Sequence, residues 1–172
     1  MKSKAIFFDR DGVINERILG GYICTWDEFR FLPEVGETLK AIKNRGYITI
    51  IITNQRGVGL GLMTESDLEH LHKKMQQELL ERSGVEFDDI ISCTDAGNES
   101  GRRKPSPAML LEAQKKYDID MAASWMIGDT ASDIEAGQRA GTKTAFLLNE
   151  HDEPPSNATI SIASLKDIVI YI

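Results

Sequence analysis

The chain has 172 residues, enough for one ordinary domain and tight for two. Hydrophobic residues make up 41% and charged residues 27%, a globular balance with enough apolar material for a core. Lys and Arg number 20 against 27 Asp and Glu, and the resulting charge of −7 argues against a protein that grips nucleic acid mainly by charge.

No apolar run approaches the roughly 20 residues of a membrane span, so no membrane partner is expected. The start, MKSKAIFFDRDG, has too short an apolar stretch for a signal peptide. Cys24 and Cys93 make neither a disulfide framework nor, alone, a zinc site. A cytoplasmic protein is the expectation.

Along the chain, strands and helices alternate. Residues 5–8 form a short apolar run that ends in an acid. A long loop, 9–33, follows. Val35, Leu39 and Ile42 recur at helix spacing before Gly46, a C-terminal stop. Residues 47–52 (YITIII) read as a buried strand. Thr64 with Asp67 reads as a capping box opening a helix that carries Leu68, Leu71, Met75 and Leu79 inward. Residues 89–92 are a further strand, and 93–105 a second long loop. Ser106-Pro107 opens a helix to Tyr117, with the proline at its first position. Residues 125–127 and 144–148 are strands, with a helix 132–140 between them ending at Gly141. Residues 149–156 (NEHDEPPS) read as a surface loop. This rhythm predicts an α/β, three-layer Rossmann-like fold with a mainly parallel central sheet and no or minimal cap, as one domain over 1–172.

In such a sheet, ligands bind beyond the carboxyl ends of the strands. Four polar clusters fall at that edge: Asp9-Arg10-Asp11-Gly12, Thr53-Asn54-Gln55, Arg103-Lys104-Pro105 and Gly128-Asp129-Thr130. Crowded carboxylates are costly unless a cation neutralises them. Asp9, Asp11, Asp129 and Asp133 form an oxygen-rich set that suits Mg²⁺. Thr53, Lys104 and loop amides supply anion donors. Each cluster alone has a plain reading as a turn or a solvated surface, but four strand ends in compatible order describe a phosphoryl-transfer site. An aspartate there can accept the phosphoryl group, and a second can move protons.

The clusters FFDRDG (7–12), Thr53, Lys104 and GDTASD (128–133) resemble the motifs of the haloacid dehalogenase superfamily of phosphohydrolases. The runs DRDGVIN, GGY, FRFLPEV, TNQRGVGLG, RKPSPAML and SWMIGD look like the nearly capless heptose bisphosphate phosphatase and histidinol-phosphatase subfamily. That resemblance implies an Mg²⁺-dependent hydrolase of a phosphorylated sugar, with D-glycero-D-manno-heptose 1,7-bisphosphate as first choice. It implies Asp9 as nucleophile, Asp11 as acid/base, and Thr53 and Lys104 on the phosphoryl group. The metal would be held by Asp9, the Asp11 backbone carbonyl and Asp129. Gly21, Tyr22, Asn54, Gln55, Arg56 and Arg103 would line the substrate pocket. Histidinol phosphate and a polynucleotide 3′-phosphate are rival substrates. A receiver-like phosphoacceptor and a silent phosphosugar-binding protein are rival classes. A monomer without nucleic-acid partners is expected.

The departures from that family pattern are specific. The family's zinc loop reads Cys-x-His and then Cys-x-Cys, whereas here Cys93-Thr94-Asp95 and Ser100-Gly101-Arg102 stand in those places. No structural zinc is expected, and the loop is expected to be mobile, with Cys93 half-buried. Leu60 stands where arginine is usual, with Arg56 as a compensating charge, and Thr130 where lysine is common. His70 and His72 read as exposed or boundary helix residues, and Trp26 and Trp125 as packing residues.

Overall fold

The computed structural model describes residues 2–172. Its strands are β1 (Lys4–Phe8), β2 (Tyr47–Asn54), β3 (Asp89–Cys93), β4 (Trp125–Gly128), β5 (Lys143–Leu147) and β6 (Ile160–Ile162). Its helices are α1 (Val35–Asn44), α2 (Arg56–Gly59), α3 (Glu65–Ser83), α4 (Ala108–Tyr117) and α5 (Ala131–Ala140), with a 3-10 segment at Leu165–Ile170. The sheet order is β3-β2-β1-β4-β5-β6, and all five pairings are parallel.

The strand sequences explain why both faces are covered. Side chains alternate across a strand. Ile6 and Phe8 of β1 and Ile51 of β2 face one apolar cluster, with Leu39 and Ile42 of α1 and Leu71, Met75 and Leu79 of α3. Ala5 and Phe7 of β1 and Ile50 and Ile52 of β2 face the other, with Met109, Leu110 and Ala113 of α4 and Ala136 and Ala140 of α5. The continuous hydrophobic runs are therefore strands sandwiched between helical layers. Trp26 stacks on Phe29, and Trp125 is buried, so both tryptophans pack as expected.

Local signals behave as their chemistry dictates. The Thr64 hydroxyl accepts from the Asp67 amide at 3.0 Å, and the Asp67 carboxylate accepts from the Thr64 amide at 2.8 Å. This reciprocal pair satisfies two donors at the start of α3. Gly141 ends α5 in the left-handed conformation, as expected of a terminal glycine. Pro107 is the N-cap of α4 rather than its first helical residue. Five short elements escape the sequence reading: α2 is one turn long, β6 has three residues, and the 3-10 segments at Trp26–Glu28, Met121–Ala123 and Leu165–Ile170 have no long apolar run.

The register sets the site. Phe8 pairs with Ile51 on one side and Ile127 on the other. The residues just beyond those positions are Asp9, then Thr53 and Asn54, then Gly128 and Asp129. Parallel pairing thus brings the acids of β1 and β4 and the polar end of β2 to one edge.

Candidate active site

A cavity of about 350 Å³ opens at that edge. Asp9, Asp11, Asn54, Gln55, Arg103, Lys104, Thr130 and Asp133 line it, and residues 17–23 form one wall. Gly21 and Tyr22 therefore sit where the sequence reading put them. Arg56 does not line it. Its side chain is exposed, its Nε donates to the Ala96 carbonyl at 2.6 Å, and it borders a neighbouring depression shared with Arg103. Thr53 also lies behind the wall, fully buried, with its hydroxyl accepting from Gln55 Nε2 at 2.8 Å.

Lys104 is the buried centre of charge. Its ammonium donates to Asp9 Oδ1 at 2.8 Å, Asp133 Oδ1 at 2.6 Å and the Ile52 carbonyl at 2.8 Å. Burial alone would lower its pKa, but Asp133 and Asp9 outweigh that and hold it above the ordinary lysine value. Asp133, the fourth acid of the set read from the sequence, has both oxygens occupied. Oδ2 accepts from the Thr130 amide at 3.1 Å and hydroxyl at 2.8 Å, capping α5. It lines the cavity with its oxygens tied to Lys104 and to the start of α5.

Asp9 and Asp129 are different. Burial pushes the Asp9 carboxyl well above its usual range, Asp133 adds to the push, and Lys104 opposes it. Burial and then Asp133 push Asp129 up to about 7, against Arg17. Asp129 Oδ1 is buried with no hydrogen-bond partner. Asp9, Asp129 and Asp133 each offer an oxygen within 4.8 Å of the others. Three buried carboxylates around one buried ammonium leave uncompensated negative charge, and the donors are all hard oxygens. This set fits a divalent cation such as Mg²⁺. Gly12 makes the crowding possible: with φ at +89°, a Cβ there would sit 1.9 Å from Asp129 Oδ2.

Asp11 turns away from that cluster. Its Oδ1 accepts from Arg10 Nη2 and Asn15 Nδ2, each at 2.9 Å, and its Oδ2 from Gln55 Nε2 at 2.9 Å. Burial raises its pKa, but the Arg10 charge and these donors outweigh burial and leave it lowered. Its side chain is held by these three donors while Asp11 still lines the cavity.

The sequence model of the haloacid dehalogenase-like hydrolases matches residues 14–141. The chain belongs to that family. The matched span holds Thr53, Lys104 and Asp129 and begins just past Asp9 and Asp11. A Helicobacter pylori strain J99 protein named D-glycero-beta-D-manno-heptose-1,7-bisphosphate 7-phosphatase is 37% identical over 171 residues, covering 99% of this chain and 97% of its own. A Burkholderia mallei protein named the 7-phosphatase of the alpha form is 35% identical over 182 residues, covering 100% and 95%. The solved D,D-heptose 1,7-bisphosphate phosphatase of B. bronchiseptica, complexed with magnesium and phosphate, has a TM-score of 0.87. It is 25% identical, with 98% of this chain and 97% of that chain covered.

Three features of this hydrolase lay outside the sequence reading. Arg10 is completely buried, and its Nη1 lies 3.1 Å from Nε2 of His72. His72 is therefore buried rather than a boundary residue, while His70 is exposed. Arg17 bridges Asp129 Oδ2 at 3.3 Å and Asp152 Oδ2 at 2.6 Å, tying the cluster to the 149–156 loop. The period-3.6 signal of α3 marked His72 only as a helix residue near a core face. Nothing local pointed to Arg17.

The 93–105 loop is also not as expected. It is pinned: Asp95 Oδ2 accepts from the Ser100 amide at 2.8 Å and hydroxyl at 2.6 Å. Arg102 Nη1 donates to the Ser92 carbonyl at 3.2 Å, and the Arg103 amide to Asn98 Oδ1 at 3.3 Å. The tip of α2 packs tightly on the loop, since a Cβ on Gly59 would meet the Ala96 nitrogen at 2.4 Å. Cys93 is fully buried, not half-buried. The loop's own carboxylate gathers it, because short polar side chains satisfy nearby backbone donors.

Proposed function

We propose that the whole chain acts as one catalytic domain and hydrolyses the 7-phosphate of D-glycero-D-manno-heptose 1,7-bisphosphate with Mg²⁺. The observation that carries the chemistry is Asp9 at the cavity floor, gripped by buried Lys104 beside the partnerless oxygen of Asp129. The names of the near full-length relatives support the choice of sugar.

Asp9 and Asp129, with the Asp11 carbonyl, would hold the cation. When bound, it neutralises phosphate charge and keeps Asp9 ionised. The Asp9 carboxylate then attacks phosphorus, and the bond to the sugar oxygen breaks. Asp11 gives its proton to that oxygen, so the heptose leaves as an alcohol. A phosphate dianion beside Asp11 acts as a like charge and raises its pKa, which favours the protonated form needed for this step. Asp11, now a carboxylate, takes a proton from water. The resulting hydroxide attacks phosphorus and releases inorganic phosphate and free Asp9. Lys104 holds Asp9 in line and offsets charge on the transferring group. Thr53, behind Gln55, acts by fixing that amide.

The remote phosphate needs its own donor. Arg103 lines the cavity, and its buried Nη1 has no hydrogen-bond partner. A planar guanidinium matches a phosphate with paired donors. Gly21, Tyr22, Asn54 and Gln55 shape the space between. Arg56 stands further out and would act on the rim.

The experiment is a comparison of kcat/KM on the heptose bisphosphate, histidinol phosphate and a 3′-phosphorylated oligonucleotide, each with Mg²⁺. The bisphosphate should lead by at least about tenfold, or 1.4 kcal/mol of transition-state binding. A lead by either rival would replace the substrate and keep the chemistry.

A further inference from the structure

The 149–156 loop has the composition of a plain surface loop, yet its contacts run to Asp129. Asn149 makes the first connection. Its Nδ2 donates to the Asp129 backbone carbonyl at 3.0 Å, and its Oδ1 accepts from the amides of His151 and Asp152, each at 2.8 Å. An asparagine that gathers the amides following it sets a turn, and this turn presents the Asp152 side chain. Asp152 Oδ2 accepts from Arg17 Nη2 at 2.6 Å, and Nη1 of the same guanidinium lies 3.3 Å from Asp129 Oδ2. The contacts close a ring that begins on the backbone of Asp129 and ends on its side chain.

The three charges of that ring lie in a gradient of exposure. The Asp129 side chain is 2% exposed, Arg17 24% and Asp152 37%. Among the described residues, Arg17 is the only cation in ion-pair contact with Asp129, whose Oδ1 has no hydrogen-bond partner. Arginine keeps its charge at every working pH. A fixed positive charge beside a carboxylate that holds a divalent ion repels the ion and offsets part of the surplus created by Asp9, Asp129 and Asp133. Asp152, on the other arm of the guanidinium, cancels part of that repulsion. We propose that Arg17 and Asp152 are a charge pair that sets how tightly the site holds its divalent cation, Arg17 loosening it and Asp152 restoring it. The inference rests on the cation reading of Asp9 and Asp129. Neither residue is a ligand in it, and both act through Asp129.

The test reads cation affinity rather than turnover. Mg²⁺ binding to the full chain is measured by calorimetry at fixed ionic strength, and Mn²⁺ binding by loss of the free ion's electron paramagnetic resonance signal. Arg17→Gln should tighten both ions about fivefold or more, since the repelling charge is gone and Asp152 remains. Asp152→Asn keeps an acceptor for Arg17 but removes the charge, and it should loosen both ions about threefold or more. A merely structural bridge gives a different pattern: losing either residue frees Asp129 to move, and affinity falls in both variants. In the Arg17→Gln background, Asp152→Asn should change affinity by less than about twofold, because its effect runs through the guanidinium. Both single-variant shifts should shrink at high salt, since the pair is partly exposed. If Arg17→Gln fails to fold, Asp152→Asn is read against Asp152→Glu, which restores the charge and should bind within about twofold of the parent. Binding that is unchanged or weaker in folded Arg17→Gln, or not weaker in Asp152→Asn, overturns the inference alone. A parent that binds neither ion, or an Asp129→Asn variant that binds both as the parent does, overturns the cation reading and this inference with it.

Discussion

The two long loops at the carboxyl edge of the sheet are built on opposite principles. The first residues of the loop after β1 are packed like core, while its 16–28 stretch is largely exposed or half-buried. Val13, Ile14, Arg10 and Asn15 are all fully buried, and the loop's polar groups reach Asp11, His72 and, through Arg17, the Asp129 carboxylate. The loop after β3 lies near the surface and is held by its own carboxylates, Asp95 on Ser100 and Glu99 on the Gly97 amide. A buried charge that loses a partner costs several kcal/mol, while an exposed hydrogen bond costs about 1. The first loop therefore resists change, and the second can be rewritten without disturbing the fold. Asp9 and Asp11 open the first loop and Arg103 lies near the end of the second, so both loops line the same cavity and the proposed mechanism divides its work between them.

This contrast makes ordered predictions. Asp9→Asn removes the proposed nucleophile, and turnover should fall below about a thousandth of the parent while circular dichroism shows a folded chain. Gly12→Ala tests how tightly the first loop is packed. Its Cβ collides with Asp129 in a backbone conformation that L side chains rarely adopt. Urea denaturation should show a loss of about 2–4 kcal/mol, and Mg²⁺ titration a weakened site. Arg103→Ala should raise KM for the bisphosphate about tenfold, with kcat on p-nitrophenyl phosphate little changed, as steady-state kinetics would show.

His72 gives a pH signature. Its folded pKa of about 3 lies below the ordinary 6.5, so the unfolded chain binds the extra proton between those values. Its contribution to stability is present above pH 6.5 and lost as pH falls toward 3. His72→Leu should flatten that acid-side decline in thermal denaturation measured across the window. The smallest effect belongs to the second loop. Asp95→Asn should cost about 1 kcal/mol or less in the same assay and leave kcat within about twofold. A loss as large as that of Gly12→Ala would erase the contrast between the loops.

Much of the molecule was legible one segment at a time. The inner strands were legible as continuous apolar runs, β-branched most clearly in β2, because a strand covered on both faces turns apolar side chains to both layers. The capping pair Thr64 and Asp67 and the terminal Gly141 are local devices, satisfied within four residues. Asp9, Lys104 and Asp129 were visible because a parallel strand must end in a loop, and ligands gather at that edge. β6 was missed because Ile160–Ile162 is stabilised by pairing with β5 rather than by its own composition. The contacts that gather the 93–105 loop, Asp95 to Ser100 above all, were not legible because composition does not display them.

By itself, the sequence determined the strand–helix alternation, the parallel sheet and the acids and lysine at its edge, since each follows from short-range periodicity and strand-end chemistry. Only the tertiary structure decided how those groups divide the work. It assigned Asp133 to Lys104 and the helix cap, set Arg17 across Asp129 and Asp152, and joined His72 to Arg10, 62 positions apart in the chain. The physical reason is the same in each case. A buried charge must find its partner through space, and which partner it finds depends on how the layers pack.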